Sequence, residues 1–166
     1  MSHTIERVVV GVSGSSGSLQ ALRFAVDYAH AFGAVLVPVI AWEPPGGDSA
    51  FRRYPPALTQ EWAQEAEDRL VAAFDSVPDG PPLDRPAEPQ VVRGPARRVL
   101  VATADRQHDV LVIGTGRRGV LRRAMYGSLS HHCLAHARCA VIVVSPDTLP
   151  DETWRTYSDA RTSPGE

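Results

Sequence analysis

The chain has 166 residues, 43% of them hydrophobic, and a formal net charge of −2 at pH 7. This length suits one domain with a single core, and the apolar content excludes an intrinsically disordered chain. A charge so close to zero gives the whole molecule no reason to bind nucleic acid, so any affinity for anions must come from local clusters of cations.

Strands and helices alternate along the first part of the sequence. The β-branched run Val8–Val12 predicts strand one, and the small residues Ser13–Ser18 predict a loop whose last three serine and glycine positions cap the next helix. That helix has apolar residues at helical spacing and ends at Gly33, before strand two at Val35–Ala41. The Pro- and Gly-rich residues 42–56 predict a long loop, which precedes a second amphipathic helix.

The alternation continues after a proline-rich connection, residues 78–87. Glu88–Arg93 predicts strand three, and Pro95 stands at the expected first position of a helix that runs to about Arg106. The apolar run Val110–Ile113 then predicts strand four.

The stretch GTGRRGVLRRAMYGS, residues 114–128, is rich in glycine and arginine and predicts a loop. Apolar positions from Leu129 to Ala137 predict a short helix, and Ala140–Val144 predicts strand five. We expect residues 1–146 to form the one domain. Residues 147–166 are polar without periodicity and predict a flexible tail.

Continuous apolar strands that alternate with helices indicate an α/β fold: a Rossmann-like, doubly wound sheet of five parallel strands with helices on both faces. In such sheets, ligands bind beyond the carboxyl ends of the strands, where the strand order reverses. Small-residue loops follow strands one and four. If these two strands are neighbours, both loops face one crevice.

The loop after strand four has the chemistry of a phosphate site. Glycine lets backbone N–H groups approach an anion, a helix N-terminus adds unpaired donors, and arginine adds bidentate contacts. We expect Gly127-Ser128 to begin the next helix, and Gly114 to let a ligand pass close over the strand. Alternatively, these glycines only turn the chain. Neither the GxGxxG fingerprint nor a Walker GK[ST] is present in the first loop, which disfavours those two modes of binding.

Three stretches, VVVGVSGSSGSLQALRFAVDYA, VVRGPARRVLVATA and VLVIGTGRRGVLRRAMYGSLSHHCLAHARCAVIVV, resemble the universal stress protein family. The resemblance implies ATP binding between strands one and four, through a loop of the form G-x-x-G, nine residues, then G-[S/T]. Gly114 and Gly127-Ser128 match this form, whereas Arg117 replaces the middle glycine and Gly116 lies one place earlier. Ser13 replaces an aspartate that is usual in nucleotide-binding relatives, which leaves Mg²⁺ coordination open.

The resemblance assigns a set of residues to the nucleotide, with Ala41 meeting the adenine through its backbone. The set is Gly11, Val12, Ser13, Ile40, Ala41, Gly114, Gly116, Arg117, Gly127, Ser128, Leu129 and Ser130. We expect ATP or another adenine nucleotide as ligand of a regulatory, stress-response protein. The alternative is the same fold with an altered pocket, which binds no ATP and serves as a protein-interaction module.

The resemblance also implies a homodimer joined through the edge strand Ala140–Val144, and a long apolar edge strand is a liability unless paired. We assign no catalytic residue because no nucleophile lies beside a base, so an enzyme is not expected, and slow ATP hydrolysis has no support. His132 and His136 have a metal-compatible spacing, but no third ligand accompanies them, so a solvated helix face is favoured over a metal site.

The chain has two cysteines, six residues apart, which suits free thiols in a reducing compartment. No run of residues approaches the length of a membrane span, and the N-terminal residues show no export signal. We therefore expect a cytoplasmic protein that does not contact membranes. The sequence does not identify a protein partner.

Overall fold

The computed structural model describes residues 4–48, 52–77, 85–115 and 123–145, and it describes 123–128 as helical backbone only. Within this part of the chain, strands and helices alternate. The elements in chain order are β1 (Arg7–Gly11), α1 (Ser16–Phe32), β2 (Val35–Trp42), α2 (Pro56–Asp75), β3 (Gln90–Arg93), α3 (Ala96–Thr103), β4 (Asp109–Gly114), α4 (Arg123–His136) and β5 (Ala140–Val144).

The five strands form one parallel sheet in the order β3-β2-β1-β4-β5. The chain winds outward from β1 in one direction through β2 and β3, and then in the other direction through β4 and β5. This is the predicted doubly wound α/β architecture. In the central strand, Val9 lies opposite Val37 on one side and Leu111 on the other. These positions are fully buried because helices cover both faces of the sheet.

Alternate residues of each strand enter different cores. Val8 and Val10 pack with Leu22 of α1 and Leu70 of α2, in the core on one face of the sheet. Val9 packs in the other core, which contains residues of α3 and α4. We call these two sets of helices the α1–α2 layer and the α3–α4 layer. Among the described residues, no helix is both long enough and apolar enough to span a membrane.

Helix α1 has a defined cap at each end. Ser15, with extended backbone, is the N-cap, and its side chain accepts a hydrogen bond from the Ser18 N–H. The cap therefore lies one residue before the serines expected to provide it. At the other end, Gly33 adopts a left-handed conformation with φ of 58°, and its N–H and that of Ala34 bond carbonyls of the last turn. Gly33 ends the helix as predicted.

Helix α3 is shorter than predicted. Pro95 is its N-cap rather than its first helical residue, and the helix ends at Thr103. The chain cannot continue as helix to Arg106 because the Arg106 N–H donates to the Asp109 carboxylate, at 3.0 Å. That bond holds the residues before β4 in a turn.

The remaining boundaries differ by a few residues. The loop predicted over residues 42–56 is one residue shorter at each end, because Trp42 belongs to β2 and Pro56 begins α2. Strand β3 begins at Gln90, two residues later than predicted, although the Glu88 N–H already donates to the Leu36 carbonyl of β2. Residues 78–84 of the predicted connection and the predicted tail 147–166 lie outside the described residues.

Candidate functional site

The strand order reverses between β1 and β4, which are hydrogen-bonded neighbours with Val10 opposite Val112. The segments that follow these two strands therefore leave the same edge of the sheet. One leads into α1 on one face, and the other leads to α4 on the opposite face. This is the arrangement that the sequence predicted for a crevice at the topological switch point.

A cluster of serine hydroxyls lies at the carboxyl end of β1. Ser13 is exposed, and its Oγ lies 3.0 Å from the Oγ of Ser15 and donates to the Oγ of Ser18 at 3.2 Å. The Ser18 Oγ in turn donates to the Ser15 carbonyl and accepts from the Ser13 N–H. The cluster offers neutral groups that can donate or accept, and it contains no carboxylate.

Gly114, at the end of β4, is required by packing against α1. A Cβ at this position would overlap the backbone carbonyl of Gly17, and it would lie 2.9 Å from the Ser18 nitrogen. Both obstacles are backbone atoms in the first turn of α1, so neither can rotate away. We expected Gly114 to open space for a ligand, but on its Cβ side that space is filled by the helix.

The other predicted residues of β1 and β2 occupy three different environments. A Cβ on Gly11 would meet Leu100 of α3, with its Cδ1 at 2.9 Å, so Gly11 faces the α3–α4 layer. Val12 is buried, and its N–H donates to the Val39 carbonyl at 2.8 Å. Ile40 is buried in the core of the α1–α2 layer, whereas Ala41 is half-buried near the carboxyl end of β2. Ala41 packs against the core of the α3–α4 layer.

The Gly127-Ser128 pair lies inside α4, not at its start. The helix begins at Arg123, so the N–H of Gly127 falls beyond the first four, which alone lack intrahelical partners. Leu129 and Ser130, also expected to contact the ligand, are half-buried, and Leu129 packs on the core of the α3–α4 layer. Gly116 and Arg117 lie outside the described residues, as does the loop between them and α4.

The first residue after β4 is tied to the neighbouring edge strand. The Thr115 N–H donates to the Val144 carbonyl at 2.8 Å, and the Thr115 hydroxyl donates to the same oxygen at 3.4 Å. Val144 is the last residue of β5. Sequence reasoning missed this contact, because pairing between two segments 29 residues apart leaves no local signal.

In the α3–α4 layer, two histidines stack on each other and a cysteine packs in the core. The rings of His132 and His136 stack at 4.2 Å, and no group of three or more metal-binding side chains occurs among the described residues. Burial lowers the pKa of His132, as do the nearby charges of His136 and Arg97. Cys133 is fully buried, which raises the pKa of its thiol to about 11, and it packs in the core as expected.

Comparison with known proteins places these features in a family. The sequence model of the universal stress protein family matches residues 4–145. Universal stress proteins of Mycobacterium tuberculosis and Mycobacterium bovis are each 34% identical over 142 residues, which are 82% of this chain and 44% of theirs. The chain thus spans less than half the length of the curated relatives it matches.

Solved structures show the same architecture. A universal stress protein in complex with cAMP is 26% identical, covers 86% of this chain with 98% of its own, and has a TM-score of 0.53. A protein of the universal stress protein family from Burkholderia pseudomallei is 21% identical, with coverages of 87% and 98% and a TM-score of 0.59. The second likeness supports the fold alone.

Proposed function

This chain belongs to the universal stress protein family, and from that premise we propose that it binds an adenine nucleotide, ATP among them, between β1 and β4. The observation that carries the proposal is the adjacency of β1 and β4, whose following segments diverge to opposite faces of the sheet. A ligand seated there would reach the Ser13 cluster from one strand and the loop after Gly114 from the other.

The structural relative in complex with cAMP supports the class of ligand. Cyclic AMP and ATP share adenine, ribose and a phosphate, so a site for one contains most of the recognition that the other needs. In this chain, the backbone of Ala41 would meet the adenine. The hydroxyls of Ser13 and Ser15 would donate to phosphate oxygens, after exchanging their present bonds to each other.

The residues present do not fit a protein-bound Mg²⁺. Mg²⁺ prefers carboxylate oxygens, and the described groups at the end of β1 are the neutral hydroxyls of Ser13, Ser15 and Ser18. We therefore propose nucleotide binding without a metal ligand from the protein. The proposed role is recognition and regulation rather than catalysis, in keeping with a stress-response protein.

Calorimetric titration of the whole chain with ATP, ADP, AMP and cAMP, each with and without Mg²⁺, tests the proposal. We expect saturable binding of at least one nucleotide, with an affinity that changes less than about two-fold on Mg²⁺ addition. The absence of binding at millimolar concentrations of all four would contradict it.

A pair of variants locates the ligand. Ser13→Asp restores a carboxylate at the end of β1, and we expect it to make ATP affinity dependent on Mg²⁺. Ser16→Asp is the control, because Ser16 is exposed in the same segment but has no bond to the serine cluster among the described residues. If the two variants respond alike, the ligand does not sit against Ser13.

Two observations favour a second function, a protein-interaction module with an altered pocket that binds no ATP. Gly114 is closed on one side by α1, and Gly127-Ser128 lies within α4 rather than at its start. The first reduces the space beside β4 that a ligand could enter, and the second reduces the number of free backbone donors available to a phosphate. The titration decides between the two functions.

We also propose that two copies associate through β5. This strand is paired on one side only within the described sheet, and Val143 is 38% exposed. Light scattering at micromolar concentration should give the mass of a dimer, and Val143→Lys should shift it toward a monomer. A monomeric wild-type chain would contradict this part of the proposal. Residence in the cytoplasm stays a prediction that fractionation of cells can test.

A further inference from the structure

A groove runs between α3 and the edge strand β3, away from the β1–β4 crevice. It has a volume of about 480 Å³, within the range of sites that hold small ligands or a few side chains. Its floor and walls include Val92 of β3 together with Pro95, Val99 and Ala102 of α3 and its cap. Its polar lining residues are Gln90, Thr103 and three arginines, Arg7, Arg93 and Arg98, with no carboxylate among them.

One of the three arginines has no partner in the described parts of the chain. Arg7 binds Asp109 through two hydrogen bonds, and Arg93 binds Asp48 in the same bidentate manner. Arg98 is exposed on α3, and although its backbone N–H donates to the Pro95 carbonyl, its guanidinium makes neither a hydrogen bond nor an ion pair to any described residue. The groove therefore has one uncompensated guanidinium on its rim, which suits a carboxylate.

The outer edge of β3 is open within the described sheet, since β3 pairs only with β2. The N–H of Glu88 donates to Leu36, and that of Gly94 donates to Trp42. Backbone groups alternate in direction along a parallel strand, so the N–H and C=O of the odd-numbered residues Val91 and Arg93 point away from β2. These groups can pair with one more strand.

The dimensions of the groove match a short extended peptide. The eight residues of α3 measure about 12 Å along the helix axis, and the four residues of β3 extend about 13 Å. A peptide of four or five residues laid along β3 would thus match the strand and the helix in length. Alternate side chains of that peptide would lie on the same face of the sheet as Val92, which is the face that α3 covers.

We propose that this groove binds an extended segment of a partner protein as a sixth strand along β3. The segment places apolar side chains against Val92 and Val99, and it pairs a carboxylate side chain with Arg98. Backbone hydrogen bonds to Val91 and Arg93 provide the affinity, and the carboxylate provides the selection. The inference is independent of the nucleotide, because none of the groove residues belongs to the β1–β4 crevice.

Selection from a random heptapeptide phage library on the immobilised whole chain, without nucleotide, tests the proposal. We expect enriched peptides that combine β-branched residues with an Asp or Glu. Synthetic copies should bind Arg98→Glu at least ten-fold more weakly than wild type. They should bind Arg97→Glu within two-fold of wild type, because Arg97 has the same charge on the same exposed helix but does not line the groove.

Hydrogen exchange gives a second readout that a surface charge effect would not produce. Bound peptide should slow the exchange of the Val91 and Arg93 amides by at least ten-fold, while amides on the outer face of α2 stay unchanged. No enrichment over a bare support would overturn the proposal, and so would equal losses for Arg97→Glu and Arg98→Glu. A change in oligomeric state on groove filling by Ala102→Tyr would identify a second copy as the occupant and overturn it too.

Discussion

The two layers of helices that cover the sheet carry opposite charge. The outer surface of α2 is acidic, and its five carboxylates are Glu61, Glu65, Glu67, Asp68 and Asp75. Neither α3 nor α4 contains an acidic residue, whereas they contain arginines and the three histidines of the SHHCLAH segment. The net charge of −2 conceals this separation. A charged partner of either face would therefore experience the potential of that face, and not the average charge of the whole molecule.

The layers also differ in how they meet the sheet. On the α1 side, backbone touches backbone, since Gly114 lies directly against Gly17. On the α3 side, the corresponding close approach is between Gly11 and the flexible end of Leu100, and a groove remains beside β3. At its closest approach, α1 thus meets the sheet through its main chain, and α3 meets it through a side chain. A buried ion pair between Arg7 and Asp109 joins β1 to β4, and Arg7 also donates to the Thr103 carbonyl at the end of α3.

The largest loss of stability is expected from removing the Arg7–Asp109 ion pair. Arg7 and Asp109 are joined by bonds of 2.8 and 2.6 Å, and both are buried. Asp109→Ala leaves the buried Arg7 with only the exposed Asp105 as a charged partner, and we expect it to lower the free energy of unfolding by about 3–5 kcal/mol in urea denaturation. Asp105→Ala is the control, because its side chain is 64% exposed and lies 3.6 Å from Arg7. Its effect should stay below about 0.5 kcal/mol.

The next largest loss of stability is expected at one of the two glycines, Gly114 and Gly11, which lie against different layers. Gly114→Ala forces a methyl group into the backbone of α1, and we expect a loss of about 2–4 kcal/mol. Gly11→Ala meets only the end of the Leu100 side chain, which can rotate, so we expect about 1 kcal/mol. Urea midpoints of both variants measure the difference. Equal losses would show that the two layers are equally tolerant of a closer approach.

A smaller loss of stability is expected from removing the N-terminal cap of α1. Ser15 caps α1 through its side chain, whereas Pro95 at the start of α3 makes no such bond. Ser15→Ala should cost about 1 kcal/mol in thermal or urea unfolding. Ser16→Ala changes the next residue, which makes no cap bond, and its cost should be within about 0.5 kcal/mol. A Ser15→Ala variant as stable as wild type would show that the Ser15 cap does not stabilise α1.

The smallest effect is a pH dependence of stability that arises from a histidine in the α3–α4 layer. The folded pKa of His132 lies below its ordinary value because of burial and the charges of His136, Arg97 and Arg98. The unfolded chain therefore binds the proton more readily, so stability is full above about pH 6.5 and falls as the pH drops through the lower folded pKa.

Urea midpoints at pH 7.5 and 5.5 measure that loss. His132→Gln should reduce the difference between the two midpoints, whereas His108→Gln, which removes an exposed histidine outside the helix pair, should leave it as in wild type. An unchanged difference in His132→Gln would place the sensitivity elsewhere.

The sheet and its two layers could be predicted because the signals are local. Continuous runs such as Val8–Val12 and Val110–Ile113 indicate strands that are buried on both faces, and their alternation with helices fixes the parallel topology. The adjacency of β1 and β4 was the condition on which the predicted crevice depended, and the observed strand order meets it. The alternating burial of β1 residues in two cores is a consequence of the same pattern.

The details of the candidate site could not be predicted, because they depend on contacts between distant segments. A glycine in the sequence gives the same signal whether the space beside it holds a ligand or a helix. Only the position of the Gly17 backbone shows that the space beside Gly114 holds a helix. The start of α4 at Arg123 also escaped prediction, since Gly127 suggested a boundary that the helix passes through. The groove depends on how α3 lies across β1 and β2, which no local pattern encodes.

The Thr115–Val144 contact has a consequence for regulation. It joins the residue where the β4 loop departs to the end of the strand proposed to unite two copies. If nucleotide binding and association through β5 both occur as proposed, restraint of either segment would lower the entropy that the other loses on binding, so each event would strengthen the other. A cell would then read nucleotide level as a change in the population of paired molecules.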